Sequence, residues 1–145
     1  MKFLVVDDHL VFRKSFINLF KTIFTPVPEC VEAPNGREAL EHLKSLDFDA
    51  VFIDVNMPEM NGVDACKAIR ELYPTLPIIV LTHHDDPELI FHFFTIGVQS
   101  FLSKNTDAKE IKTVIERMKN GERYFSKEVE LIIRKEISQS NYNSK

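Results

Sequence analysis

Asp7, Asp8, Asp54, Thr82 and Lys104 are the residues whose types and places could do chemistry together. "FLVV" runs straight into Asp7-Asp8, "AVFI" into Asp54, "IIVL" into Thr82, and the last apolar run is followed by Lys104. A hydrophobic strand that needs only a turn can end in Gly, Asn or Ser, so a carboxylate there asks for a partner. Carboxylates drawn together repel and raise one another's pKa. A hard divalent cation relieves that repulsion, and Mg²⁺ takes carboxylate oxygens, waters and a phosphate oxygen. A carboxylate is also a nucleophile that can form an acyl phosphate. Lys104 could neutralise a bound phosphoryl group as a compact cation, and the Thr82 hydroxyl could donate to one of its oxygens. Phosphoryl transfer asks for positioning and charge stabilisation above covalent help. On this reading Asp54 is the phosphate acceptor, and Asp7 and Asp8 hold the metal.

Taken singly, each residue has a plainer explanation. An Asp at a strand end is commonly a turn or cap residue, and an acidic pair before a helix complements its dipole. A lone Lys is usually solvated, and a lone Thr says nothing. The case rests on their order and on the elements that carry them.

Five apolar runs set those elements: Phe3–Val6, Cys30–Ala33, Ala50–Ile53, Ile78–Leu81 and Val98–Leu102. The first, third and fourth are nearly unbroken, as strands buried on both faces are. "ECVEA" alternates and suits an edge. Between them apolar residues recur at helical spacing: Phe12, Phe16, Leu19, Phe20 and Ile23; Ala39, Leu40 and Leu43; Ala65, Ile69 and Leu72; Ile90, Phe93 and Phe94; Ile111, Val114, Ile115 and Met118. Asn35 with Glu38 and Asp107 with Glu110 fit capping boxes, and Pro87 after Asp86 fits a first turn. Strands alternating with helices predict right-handed parallel βαβ units. The fold class is therefore α/β, a (βα)5 doubly wound five-stranded parallel sheet with flavodoxin-like strand order 2-1-3-4-5. Such sheets bind ligands beyond the carboxyl ends of their strands, which is where the five residues lie. Asn120-Gly121 stops the fifth helix. Ser126 then caps an extra C-terminal helix with Val129, Ile132, Ile133 and Ile137 as its apolar stripe, and "SQSNYNSK" reads as a polar, frayed tail. Residues 1–122 form one domain, and 123–145 a linker helix and tail.

Composition narrows the class of function. A net charge of -4 argues against direct nucleic-acid contact, which needs clustered Lys and Arg; Arg134-Lys135 is followed at once by Glu136. No stretch approaches the roughly 20 apolar residues of a membrane span, and Asp7-Asp8 ends the N-terminal apolar run too early for a signal peptide. The expected location is cytoplasmic. Cys30 and Cys66 have neither metal-ligand spacing nor a disulfide framework and read as small hydrophobes. His83-His84 lack partners for a zinc site, and His9 reads as an orienting residue at the first helix.

These motifs resemble a response-regulator receiver domain of two-component signalling. "VDDH" is similar to the acidic pair, "DVNMPEMNG" to the acceptor loop, "VLT" to the switch strand and "FLSK" to the lysine motif, across roughly residues 2–122. The resemblance implies that Asp54 accepts phosphate from a sensor histidine kinase or phosphotransfer protein. It implies Mg²⁺ held by Asp8, Asp54 and the backbone carbonyl of Asn56, with Asp7 acting partly through water. Thr82 and Lys104 would contact the phosphoryl group. On activation Thr82 would move toward it and Phe101 would turn inward; lacking a hydroxyl, Phe101 would be held by packing alone. Asn56 and His84 would flank the attacking water. "DDHLVFRKSF" and "GERYFS" are further similar to receivers that precede a LuxR-type helix-turn-helix domain, which implies a transcriptional output and homodimerisation on phosphorylation. The helix-turn-helix does not follow within this sequence, so the chain reads as the receiver portion of such a regulator, with a stand-alone regulator as the alternative. "GVQSF" departs from the more usual small residues before strand five.

Rival functions fare worse. An aspartyl phosphatase needs a second carboxylate two residues after its nucleophile, and Asn56 stands there, so the chain is a switch with self-phosphorylation and slow autodephosphorylation, not a turnover enzyme. A nucleotide or flavin binder needs G-x-G-x-x-G or G-x-x-x-x-G-K, and the sequence has neither. A scaffold that has lost phosphorylation would not need the full set of site residues. Among the phenylalanines, Phe91 falls off the apolar face of its helix and is expected to be partly exposed, as a partner surface or as a single apolar residue at the surface.

Overall fold

The computed structural model describes residues 1–57, 60–82 and 86–143, with side chains to residue 140. Its elements alternate: β1 (Lys2–Val6), α1 (Leu10–Ile23), β2 (Glu29–Ala33), α2 (Gly36–Ser45), β3 (Ala50–Asp54), α3 (Gly62–Leu72), β4 (Ile78–Thr82), α4 (Pro87–Ile96), β5 (Ser100–Ser103), α5 (Ala108–Lys119) and α6 (Lys127–Asn143). The strands form one parallel sheet in the order β2-β1-β3-β4-β5. The alternating strand β2 takes an edge, as its half-polar pattern dictates.

Period-two alternation divides the core into two layers. Leu4, Val6, Val51, Ile53, Ile78 and Val80 face α2, α3 and α4. Phe3, Val5, Phe52, Ile79 and Leu81 face α1 and α5. Much of the phenylalanine content is explained by the second layer, where Phe3, Phe16, Phe20 and Phe52 pack ring against ring at centroid distances of 5.2–5.6 Å. Both cysteines are free. Burial pushes the Cys66 thiol up to about 12 and that of Cys30 up to about 11, consistent with their reading as small hydrophobes.

The helix starts follow from their caps. Asn35 accepts from the Glu38 N–H, Asp107 from that of Glu110, and Asp86 from those of Glu88 and Leu89 with Pro87 in the first turn. Gly121, at φ 73°, ends α5 in a left-handed turn.

Three expectations need correction. β5 begins at Ser100, not Val98: Gly97 caps α4 in the left-handed region at φ 99°, and Val98 still hydrogen-bonds back to Phe93 before the chain extends. The tail is helical through Asn143, because no Pro or Gly follows Gly121 to end it. Ile137 is 39% exposed, outside the buried stripe that ends at Ile133. At 1.5 Å per residue, α6 is about 25 Å long and its neighbour α4 only about 15 Å, so the last turns of α6 overhang.

Candidate functional site

Parallel pairing brings the carboxyl ends of β1, β3, β4 and β5 into one row. Val6 pairs with Ile53, Asp54 with Leu81, and Thr82 with Ser103. Asp7 follows β1 and is fully buried, while Asp54 closes β3 at 4% exposure. Lys104 follows β5 with its backbone N–H bonded to the Thr82 carbonyl at 3.2 Å. Its ammonium reaches across the row, 2.6 Å from Asp7 Oδ2 and 3.3 Å from Asp54 Oδ2, with a side chain only 7% exposed. The lysine that taken alone would be solvated is thus buried between two carboxylates.

Asp8 and His9 turn outward beside this centre. The backbone N–H of His9 donates to Asp7 Oδ1 at 2.7 Å, and the imidazole Nδ1 lies 3.1 Å from Asp8 Oδ1. Burial raises the Asp54 pKa first and the neighbouring Asp7 raises it further, against opposing pulls from Lys104 and the Asn56 backbone N–H. One ammonium therefore faces two buried carboxylates, with Asp8 adjacent, and negative charge is left over. Asp7, Asp8, His9 and Asp54 each offer a ligand atom, all within 4.8 Å of one another. Converging hard oxygen donors of this kind fit Mg²⁺. Thr82 closes β4 half-buried, and Asn56 is exposed at the start of the acceptor loop. His84 and His83 lie outside the described residues, as do Pro58 and Glu59 of that loop.

Several supporting residues gain their place at the centre from contacts that sequence spacing does not fix. Arg13 hydrogen-bonds the Asp7 carbonyl through Nη1 and Glu32 through Nε at 3.0 Å, tying α1 to the ends of β1 and β2. The Phe12 ring lies beneath the Lys104 ammonium, 4.6 Å from nitrogen to centroid. Gly62 starts α3 where a Cβ would stand 2.6 Å from the Asp54 carbonyl oxygen and 2.7 Å from Val55 Cα. At the far end of the sheet Arg70 donates to the carbonyls of Tyr73, Pro74, Leu76 and Gly97 and to Gln99 Oε1. That bond gives Gln99 of "GVQSF" a packing role.

Phe101, on β5, is 8% exposed. Its ring meets Phe93 of α4 at 6.1 Å, nearly edge-on, and Phe125 at 5.7 Å. Phe125 in turn abuts Phe94 at 5.8 Å, and the Arg123 guanidinium lies 4.3 Å from the Phe94 ring. α6 then runs along α4 with Ile133 buried. A cleft of about 520 Å³ separates Thr82, Ile90 and Phe101 from Ser126, Val129 and Ile132. Phe91 is half-exposed as expected, stacked on Phe94 at 6.2 Å.

With fold and centre in hand, the chain can be placed. Residues 3–116 match the response regulator receiver domain family, and the chain belongs to it. Members of that family are signalling switches of two-component systems. A curated relative, the transcriptional regulatory protein YdfI of Bacillus subtilis, is 36% identical over 112 residues, 76% of this chain and 51% of its own length. The transcriptional regulatory protein DegU of Brevibacillus brevis is 28% identical over 132 residues, 89% of this chain and 54% of its own. The chain thus spans about half the length of these relatives. Among solved structures, a two-component response regulator of the LuxR family from Aurantimonas aligns at TM-score 0.82 and 25% identity, covering 94% of this chain and 97% of that one. The chemotaxis response regulator CheY4 of Vibrio cholerae aligns at TM-score 0.71 and 30% identity, covering 81% and 97%. Among the described residues no helix is long and apolar enough to cross a membrane.

Proposed function

We propose that the chain is a phosphorylation switch in which Asp54 is the acceptor. The observation that carries this is the Lys104 ammonium standing between Asp7 and Asp54 at the ends of three parallel strands. A carboxylate oxygen of Asp54 attacks phosphorus of a phosphohistidine or small acyl phosphate. A new P–O bond forms as the bond to the leaving imidazole or acetate breaks. Asp7 and Asp8, with Asp54 and the Asn56 carbonyl, would hold Mg²⁺, which when bound neutralises the phosphoryl oxygens. Lys104 balances a further oxygen, and Thr82 donates its hydroxyl to another. Asn56 leaves no carboxylate for acid–base turnover, so the phosphoryl group persists until water removes it slowly.

Residues 1–122 act as the receiver and 123–145 as a linker helix and tail. The donor is a sensor histidine kinase or phosphotransfer protein, and the acyl phosphate shifts an equilibrium between two surfaces through Thr82 and Phe101. The names of the relatives support a transcriptional output; a cytoplasmic setting, dimer formation on phosphorylation and no direct nucleic-acid contact by residues 1–145 belong to the same proposal. Intact mass after incubation with acetyl phosphate and Mg²⁺ tests the acceptor. A single Mg²⁺-dependent adduct is expected, absent from Asp54→Ala; an adduct that survives that substitution moves the acceptor elsewhere.

A further inference from the structure

We infer that Phe12 is a positioning residue of this centre: its ring holds the Lys104 ammonium where a phosphoryl oxygen on Asp54 meets it. The inference rests on Asp54 being the acceptor. Lys104 has a flexible four-carbon stem, and its ammonium touches two carboxylates and one ring. Phosphorylation turns Asp54 into an acyl phosphate, and a bound cation draws on Asp7. Both carboxylate contacts are therefore altered during the reaction, one in charge and one by sharing its oxygens, whereas the ring face is not. An aromatic face attracts an ammonium through its quadrupole, most strongly when water is excluded, and the Lys104 side chain is 7% exposed.

The ring is itself braced. Phe12 stacks on Phe16 at 5.7 Å with 20° between the planes. Phe16 meets Phe52 edge-on at 5.2 Å, and Phe52 sits two residues before Asp54 on β3. A column of rings thus runs from the strand that carries Asp54 to the cation that serves it. An ordinary core role would ask only for an apolar side chain at position 12.

Phosphorylation by acetyl phosphate and Mg²⁺, followed by intact mass, separates these roles in the native chain, Phe12→Leu, Phe12→Tyr, Lys104→Met and the Phe12→Leu/Lys104→Met pair. Phe12→Leu should slow adduct formation about fivefold, the factor for a cation–π contact of ordinary strength. Phe12→Tyr should restore most of it, and the slowing should vanish in the Lys104→Met background. Thermal unfolding of each variant confirms that it is folded at the assay temperature. NMR adds a readout that needs no rate: the Lys104 ε-methylene protons should be ring-shifted upfield in both the free and the phosphorylated native chain. Unchanged rates in Phe12→Leu, equal slowing with and without Lys104, or loss of the ring shift on phosphorylation would overturn the inference and leave Asp54 as acceptor. Absence of any adduct in the native chain would remove both readings.

Discussion

The carbonyl oxygen of Asp54 occupies the space that a side chain at position 62 would need: a Cβ on Gly62 would lie 2.6 Å from it. The obstruction is backbone, which a rotamer change cannot clear. Gly62→Ala would gain helix propensity at an ordinary first-turn position. Here it should instead destabilise the chain, by about 1–3 kcal/mol in the range of overpacked sites, and urea unfolding measures that. Because the displaced backbone carries Asp54, acetyl phosphate labelling should slow as well.

Lys104→Met keeps apolar volume but strips the cation from two buried carboxylates. Breaking such an arrangement by removing one partner costs about 3–5 kcal/mol. The deficit should shrink as Mg²⁺ is added, since the variant has no ammonium opposing the metal, binds it more tightly and so gains more than the native chain, about 1.4 kcal/mol for each tenfold difference in Kd. Unfolding in EDTA and in millimolar Mg²⁺ reads both terms. A loss indifferent to the metal would argue that the carboxylates do not share a cation.

The raised pKa of Asp54 makes its charge a burden on the fold. The native state holds the Asp54 proton to higher pH than the unfolded chain, whose ordinary value is 3.8. Stability is therefore lost as pH rises through that window, and the full cost is present above the native pKa. Asp54→Asn removes it. Without Mg²⁺ the variant should be the more stable protein at pH 7, and its advantage should vanish as pH falls below the unfolded value. Paired melting curves across pH test the sign.

Phe52 bears on both the core and the centre, with its ring against Phe3, Phe16 and Phe20. Phe52→Ala should cost about 3–5 kcal/mol. Asn35→Ala, which deletes a single cap at the other layer, should cost about 1 kcal/mol. Denaturant midpoints for the two variants compare a core loss with a local one.

The parts of this architecture that repeat were readable from the residues alone. Alternation placed β2 at an edge, and the caps at Asn35, Asp86 and Asp107 marked where helices begin. Chemistry was readable where residue type broke the pattern, since a carboxylate after an apolar run has no packing reason to be there. Contacts between distant segments left no such trace. Phe12 has helical spacing whether or not Lys104 lies above it, and the two are far apart in sequence. Phe101 meets Phe125 only because the chain turns back after Gly121. The start of β5 is obscured because Val98 is as apolar as a strand residue, yet its burial serves the end of α4. The polarity of the tail suggests fraying, yet the segment has no Pro or Gly to break a helix and continues helical through Asn143.

The packing of α6 along α4 makes one surface of this domain conditional. A macromolecule approaching the face formed by α4 and Phe101 finds it already held by a helix of the same chain, joined through the short segment after Gly121. A tethered occupant on so short a leash competes at an effective concentration of roughly millimolar. The visitor's apparent affinity is its intrinsic affinity scaled by the fraction of time the helix is away. Access to that face is thus set by α6 before any outside partner arrives.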